Sequence, residues 1–134
     1  YPIAVRGSRH KLWDQEGRET IDAVSGMLVV SLGHGHPEIA AALGSAATRL
    51  DYVNGMHFTT EATERLASML ADHGKSIGLS RATFLASGSE ATEAALKMAR
   101  QIWFDRGRPE KSKFIARTPG YHGNTLAGLS VSAR

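Results

Sequence analysis

"TFLASGSEATEAALKMAR", Thr83 to Arg100, decides how this chain is read. A short apolar run stops at three small residues, Ser87-Gly88-Ser89, and an amphipathic pattern begins at once. Ser87 and Glu90 have the S-x-x-E spacing of a capping box, which predicts a helix from Glu90 to Phe104 with Ser87 outside it. Ala91, Ala94, Ala95, Met98 and Ile102 form its apolar stripe and are expected to be buried, with Glu93 and Lys97 as an i,i+4 pair on the outer face. A helix entrance leaves backbone N–H groups without acceptors, and the aligned peptide dipoles favour an anion there. Gly88 lets an anion approach the backbone, and the Ser89 hydroxyl adds a donor, so a phosphate fits. The same residues also suit a plain capped turn with no ligand. Neither a dinucleotide fingerprint nor a P-loop is present.

Outward from this stretch, the pattern alternates. "RATFLA" reads as a short buried strand before the helix and "KFIAR" as a second strand after it; "YHGNTLAGLSVS" reads as a loop entering another helix. Upstream, "TTEATERLASMLADHG" offers Thr60 as cap, Leu66, Met69 and Leu70 on one face, and Gly74 as stop. Pro37 opens a further helix carrying Ile39, Leu43 and Leu50. "KLWDQEGRET", with Asp14 and Gly17 as turn residues, predicts short strands in a hairpin, and "TIDAVSGMLVVSLG" continues the β-like character. Strand and helix in alternation indicate an α/β layer with parallel strands. The soft boundary falls at Asn54-Gly55, which separates residues 1–54 from residues 55–134.

In an open α/β sheet, ligands lie beyond the carboxyl ends of the strands. Ser87-Gly88-Ser89 and Gly120-Tyr121-His122-Gly123 would both stand there, a phosphate grip beside an aromatic shelf. A loop tyrosine packed under its own turn is the plainer alternative. His34 and His36 in "GHGHP" invite a metal reading, but no third ligand accompanies them and no metal site is expected. His57 and His73 read as loop and helix-end residues, and Trp13, Trp103 and Phe104 as core or interface anchors.

The totals set bounds. A chain of 134 residues with 42% hydrophobic and 22% charged residues is the size and composition of one ordinary globular domain, long enough for a core. Sixteen Lys and Arg are interspersed with thirteen acids, and no basic block suggests nucleic acid. The absence of cysteine excludes disulfides and thiolate metal sites and fits a reducing compartment; with no signal-peptide pattern or long apolar run, the cytoplasm is the expected location and no membrane partner is expected. The start at Tyr1 without methionine, and the stop at Arg134 just after a helix opening, read as the ends of a piece of a longer protein.

"FLASGSEATEAALKMAR", followed by "FIARTPGYHGNTLAGLS" and preceded by "LWDQEGRETIDAVSGMLVVSLGHGHPEI", resembles the N-terminal third of the class III, ω-amino-acid type, pyridoxal-phosphate-dependent aminotransferases. The resemblance implies fold type I, with residues 1–54 as the β-rich segment of a small domain and residues 55–134 as the start of the large parallel-sheet domain. It implies pyridoxal 5'-phosphate as cofactor, held at the phosphate by Ser87, Gly88 and Ser89, with Tyr121 stacked on the ring and His122 beside it. It implies that Met27 and Leu28 border the substrate pocket, and that Met56 and His57 lie in a loop reaching a partner's site in a homodimer. The expected reaction moves an amino group from an amine or ω-amino acid to a 2-oxo acid. Aminomutases, decarboxylases and racemases share the motifs, and a truncated dimerising fragment without catalysis is the alternative of another kind. The Schiff-base lysine and the aspartate that pairs with the cofactor ring nitrogen fall outside these residues, so no catalytic residue is assigned and the fragment is not expected to be active alone. Lys97 is the partner of Glu93 and not that lysine.

Overall fold

A computed structural model describes residues 1–132 and divides into two units, Tyr1–Thr60 and the part from Glu61 onward. In the first unit, β1 (Ala4–Ser8), β2 (Lys11–Asp14) and β3 (Glu19–Ile21) form a three-stranded antiparallel sheet in that order. Lys11 faces Ile21 and Leu12 faces Thr20 across the hairpin. Asp14 organises the turn. Its Oδ1 accepts from the N–H groups of Glu16 (3.0 Å) and Arg18 (2.9 Å), and its Oδ2 accepts from Arg18 Nε at 2.7 Å. Arg18 beside it holds the Asp14 carboxyl below its usual range.

The expected β character of "TIDAVSGMLVVSLG" is realised only at Thr20 and Ile21, in β3, and does not continue beyond them. The chain forms instead a single helical turn, α1 (Ser25–Leu28), of left-handed sense. φ is positive at four consecutive residues: 50° at Ser25, 56° at Gly26, 65° at Met27 and 72° at Leu28. The N–H groups of Leu28 and Val29 bond to the carbonyls of Val24 and Ser25 at 2.8 and 3.0 Å. For L-residues this handedness brings Cβ against the following carbonyl and costs about 1 to 2 kcal/mol at each position, so Ser25, Met27 and Leu28 together store roughly 3 to 6 kcal/mol. Gly26 alone is free of the penalty, and a Cβ there would stand 2.8 Å from Val30 Cγ2. Beyond it, α2 (Pro37–Arg49) begins at the expected proline, with Glu38 in its first turn and Arg49 in its last, both favourable to its dipole.

In the second unit, α3 (Glu61–Gly74) begins next to Thr60 and is followed by a 3₁₀ turn, Lys75–Ile77. His73 Nδ1–H donates to the Met69 carbonyl at 2.8 Å, a helix-end role as expected. α4 (Gly88–Asp105) and the short α5 (Leu126–Ser130) complete the elements. The two strands expected at "RATFLA" and "KFIAR" are not formed, and the first is not buried: Phe84 and Leu85 are exposed, as are Phe114 and Ile115 in the second. A parallel strand exists only through a neighbour that takes its backbone hydrogen bonds, and no such neighbour runs beside either segment among the described residues. The stripe of α4 is likewise open, with Met98 and Ile102 exposed, and among the described residues no apolar side chain is fully buried.

The candidate cofactor and substrate sites

Three adjacent amides open α4. Ser87 is its N-cap: its Oγ accepts from Glu90 N–H at 3.2 Å and donates to Glu90 Oε2 at 3.1 Å. The serine half of the expected capping box is therefore present, while the Glu90 carboxylate bonds to the hydroxyl rather than to the Ser87 backbone N–H. The amides of Gly88 and Ser89 precede the first intrahelical bond and find no acceptor among the described residues. A Cβ built on Gly88 would meet nothing within 4 Å. Two backbone donors without acceptors among the described residues thus stand at the positive end of an eighteen-residue helix.

The "YHGN" loop packs on this entrance by backbone. Gly123 is buried with φ of 111°, and a Cβ there would lie 2.7 Å from Ser89 Oγ and 2.9 Å from Ser89 Cα. Asn124 completes the contact: Ser89 Oγ donates to Asn124 Oδ1 at 3.0 Å and accepts from Asn124 N–H at 3.2 Å. The single hydroxyl proton of Ser89 is directed at Asn124, which leaves the amides as the donors open to an anion. Sequence reasoning did not single out Asn124; its position next to the second glycine of the loop was the available signal. Thr125 caps α5 by accepting from Gly128 N–H at 3.3 Å and donates its hydroxyl to Glu93 Oε2 at 2.8 Å. Glu93 is thus turned toward the loop and not to Lys97, contrary to the expected surface pair, because a hydroxyl 32 residues away is carried against it by the Gly123 contact. Tyr121 is 63% exposed, and His122 donates its backbone N–H to Ser132 Oγ at 2.9 Å. Ser87, Gly88, Ser89, Tyr121 and His122 all belong to the second unit.

Met27, Leu28, Met56 and His57 belong to the first. Met27 and Leu28 are 78% and 83% exposed on the left-handed turn. Met56 and His57 lie in a turn made by Asn54, whose Oδ1 accepts from Met56 N–H and whose carbonyl accepts from His57 N–H, each at 3.0 Å. The unit also holds a pair that the sequence reading did not find. His34 Nε2–H donates to Asp22 Oδ2 at 2.7 Å, and the Asp22 side chain is only 6% exposed. Since a carboxylate only accepts, this bond fixes the proton on Nε2. The hydrogen bond from His34, helped by the N–H groups of Gly26 and Val24, holds the Asp22 carboxyl below its usual range. His36 Nδ1 is buried without a partner. Among the described residues no group of three or more His, Cys, Asp or Glu is arranged around a common point. No helix there is long and apolar enough to cross a membrane.

A helix entrance with unpartnered amides stands beside a glycine-flanked Tyr-His loop, an arrangement that suits an anionic group such as a phosphate. The chain belongs to the family described as Aminotransferase class-III, whose sequence profile matches residues 2–134. Acetylornithine aminotransferase of Pseudomonas putida is 42% identical over 132 residues, which cover 98% of this chain and 32% of that protein. A succinylornithine transaminase/acetylornithine aminotransferase of Pseudomonas aeruginosa is also 42% identical, again over 98% of this chain and 32% of its own length. Among solved structures, an amine transaminase from an uncultivated Pseudomonas species, in its PLP-bound form, superposes with a TM-score of 0.93 at 31% identity, over 100% of this chain and 30% of that one. A thermostable (S)-enantioselective omega-transaminase from Thermomicrobium roseum gives 0.92 at 32% identity, over 98% of this chain and 30% of that one. The chain therefore spans about a third of the length of the curated relatives it matches, and its fold is that part of the fold type I transaminases. Pyridoxal phosphate is the cofactor implied by this membership, and the entrance of α4 fits its phosphate: two unpartnered amides, room beside Gly88, and no acidic side chain bonded to those amides.

Proposed function

We propose that the full-length protein is a transaminase that moves an amino group from an amine or ω-amino acid to a 2-oxo acid, with pyridoxal 5'-phosphate as cofactor. The observation that carries this is the open entrance of α4 braced by the Gly123 loop, in a chain of the class III family. When bound, the cofactor would supply an electron sink for the negative charge left when a proton leaves the carbon beside the substrate nitrogen. The part of this chain is to hold and orient it. The amides of Gly88 and Ser89 bind the phosphate, Ser87 fixes the helix start that aims them, and the Ser89–Asn124 pair ties the following loop to the same point. Tyr121 stacks on the ring and His122 flanks it, which keeps the ring plane fixed while bonding at its reactive carbon changes.

In this reading residues 1–54 belong to the small domain and residues 55–134 open the large one. Met27 and Leu28 line the substrate pocket, and Met56 and His57 reach toward the partner's site in a homodimer. The protein works in the cytoplasm. The relatives named for acetylornithine and succinylornithine make an N-acylated ornithine, with its terminal primary amine, the first donor to test.

The full-length protein, supplied with cofactor, N-acetylornithine or a simple primary amine, and pyruvate or 2-oxoglutarate, is expected to form the amino acid of the oxo acid. Ser89→Ala and Tyr121→Ala are each expected to weaken cofactor retention. Failure to transfer the amino group from any donor would sink the transaminase reading and leave the other class III reactions; undiminished retention in both variants would sink the site.

A further inference from the structure

The left-handed turn Ser25–Leu28 is largely exposed among the described residues. Met27, Leu28 and the following Val29 are 78%, 83% and 80% exposed, and three of the four residues at positive φ are not glycine. Such strain persists only where surrounding groups over-determine the backbone. Among the described residues, the Asp22 side chain accepts hydrogen bonds from the backbone of this turn. Its Oδ1 accepts from Val24 N–H at 3.2 Å, and its Oδ2 accepts both from Gly26 N–H at 2.8 Å and from His34 Nε2–H at 2.7 Å.

Both ends of the Asp22–His34 pair are tied to rigid backbone. Asp22 N–H donates to the His10 carbonyl at 2.8 Å, and His34 exchanges two backbone bonds with Arg9 at 2.9 and 2.8 Å. Gly7 leaves the room that the imidazole occupies, since a Cβ there would lie 2.7 Å from His34 Cβ. Oδ2 of the carboxylate therefore connects the strained turn, through His34, to the Arg9–His10 turn between β1 and β2.

We propose that Asp22 and His34 form a latch that holds this turn left-handed and so fixes how Met27 and Leu28 are presented to the amine substrate. The latch rests on the reading of Met27 and Leu28 as pocket residues. Without it the turn relaxes toward the right-handed or extended backbone that L-residues prefer, and both side chains leave along new directions. Asp22 and His34 are then positioning residues for donor specificity, acting through Met27 and Leu28.

The test is steady-state kinetics of the full-length holoenzyme with N-acetylornithine and β-alanine as long and short donors and 2-oxoglutarate as acceptor. Asp22→Ala and His34→Ala are expected to raise the KM of the preferred donor about tenfold or more, with a smaller change in kcat and unchanged cofactor affinity. His34→Gln, whose amide can still donate to Asp22, is expected to restore most of the loss. If the alanine variants do not fold, Asp22→Asn decides by the same criterion, because its one carbonyl oxygen cannot serve Val24, Gly26 and His34 together. A fall in thermal midpoint with unchanged KM in the variants that fold overturns the latch. Met27→Ala and Leu28→Ala separate the two readings. If they shift donor KM while the latch variants do not, the latch alone fails; if they leave every donor unchanged, the pocket assignment fails and the latch with it.

Discussion

Gly123→Ala is expected to separate the "YHGN" loop from the entrance of α4. Gly123 has φ of 111°, a region that L-residues avoid, and its added Cβ would stand 2.7 Å from Ser89 Oγ, 2.9 Å from Ser89 Cα and 3.0 Å from Ser89 Cβ. The hydroxyl could rotate away, but Cα belongs to the first turn of the helix and cannot. Backbone strain contributes about 1 to 3 kcal/mol and forced overpacking a further 1 to 3, for a total on the order of 2 to 6. The loop relieves this by moving off, which breaks both Ser89–Asn124 bonds and shifts Tyr121 with them. If only 1.4 kcal/mol is expressed in cofactor binding, the dissociation constant rises about tenfold. The assay is cofactor titration of the full-length apoprotein, followed by absorbance, beside a thermal scan. Gly107→Ala is the control: it also has positive φ, 69°, but nothing lies within 4 Å of its Cβ, so it should cost about 1 kcal/mol of stability and leave cofactor binding alone. Wild-type cofactor affinity and thermal midpoint in Gly123→Ala would refute the contact as described.

Two further outcomes follow from the same geometry. Ser87→Ala removes the acceptor of Glu90 N–H and should cost about 0.5 to 2 kcal/mol, read as a lowered thermal midpoint, with Ser87→Asp restoring most of it. The Asp22 carboxyl lies below its ordinary value of 3.8 because His34 bonds to it, so its contribution to stability is complete above that value and disappears as pH falls through the lowered one. A thermal midpoint followed from neutrality into that acid range should therefore fall less steeply in Asp22→Asn than in the wild type; parallel curves would show that the pair carries no such linkage.

What could be read from the sequence was what is local. The hairpin follows from Asp14 and Gly17, four residues that close on themselves, and the helices from apolar spacing, the Pro37 start and the Ser87 cap. The strands at 81–86 and 113–117 were not realised, because strand character in Phe84 or Ile115 is a demand for neighbours that propensity alone does not supply. The left-handed turn was hidden for a different reason. Met27, Leu28 and Val29 look like a strand, and the backbone is instead set by the Asp22 carboxylate and Gly26. Asn124 escaped notice, and Glu93 was paired with Lys97 instead of Thr125, because their true partners, Ser89 and Thr125, lie 35 and 32 residues away. At the candidate site, residue types and their order pointed to the loop and the helix, while the bonds that join them were visible only in the fold.

The most direct measurement is the affinity of the full-length apoprotein for pyridoxal 5'-phosphate and for pyridoxal, in the wild type and in Gly88→Asp. An acid in the first turn suits the helix dipole, and no atom crowds its Cβ, so the variant should fold as well as the wild type. It places a negative charge where the phosphate is to be held. The expected result is a loss of at least about tenfold for the phosphorylated ligand and little change for pyridoxal. Equal losses for both ligands, or none for either, would contradict a phosphate held at the entrance of α4.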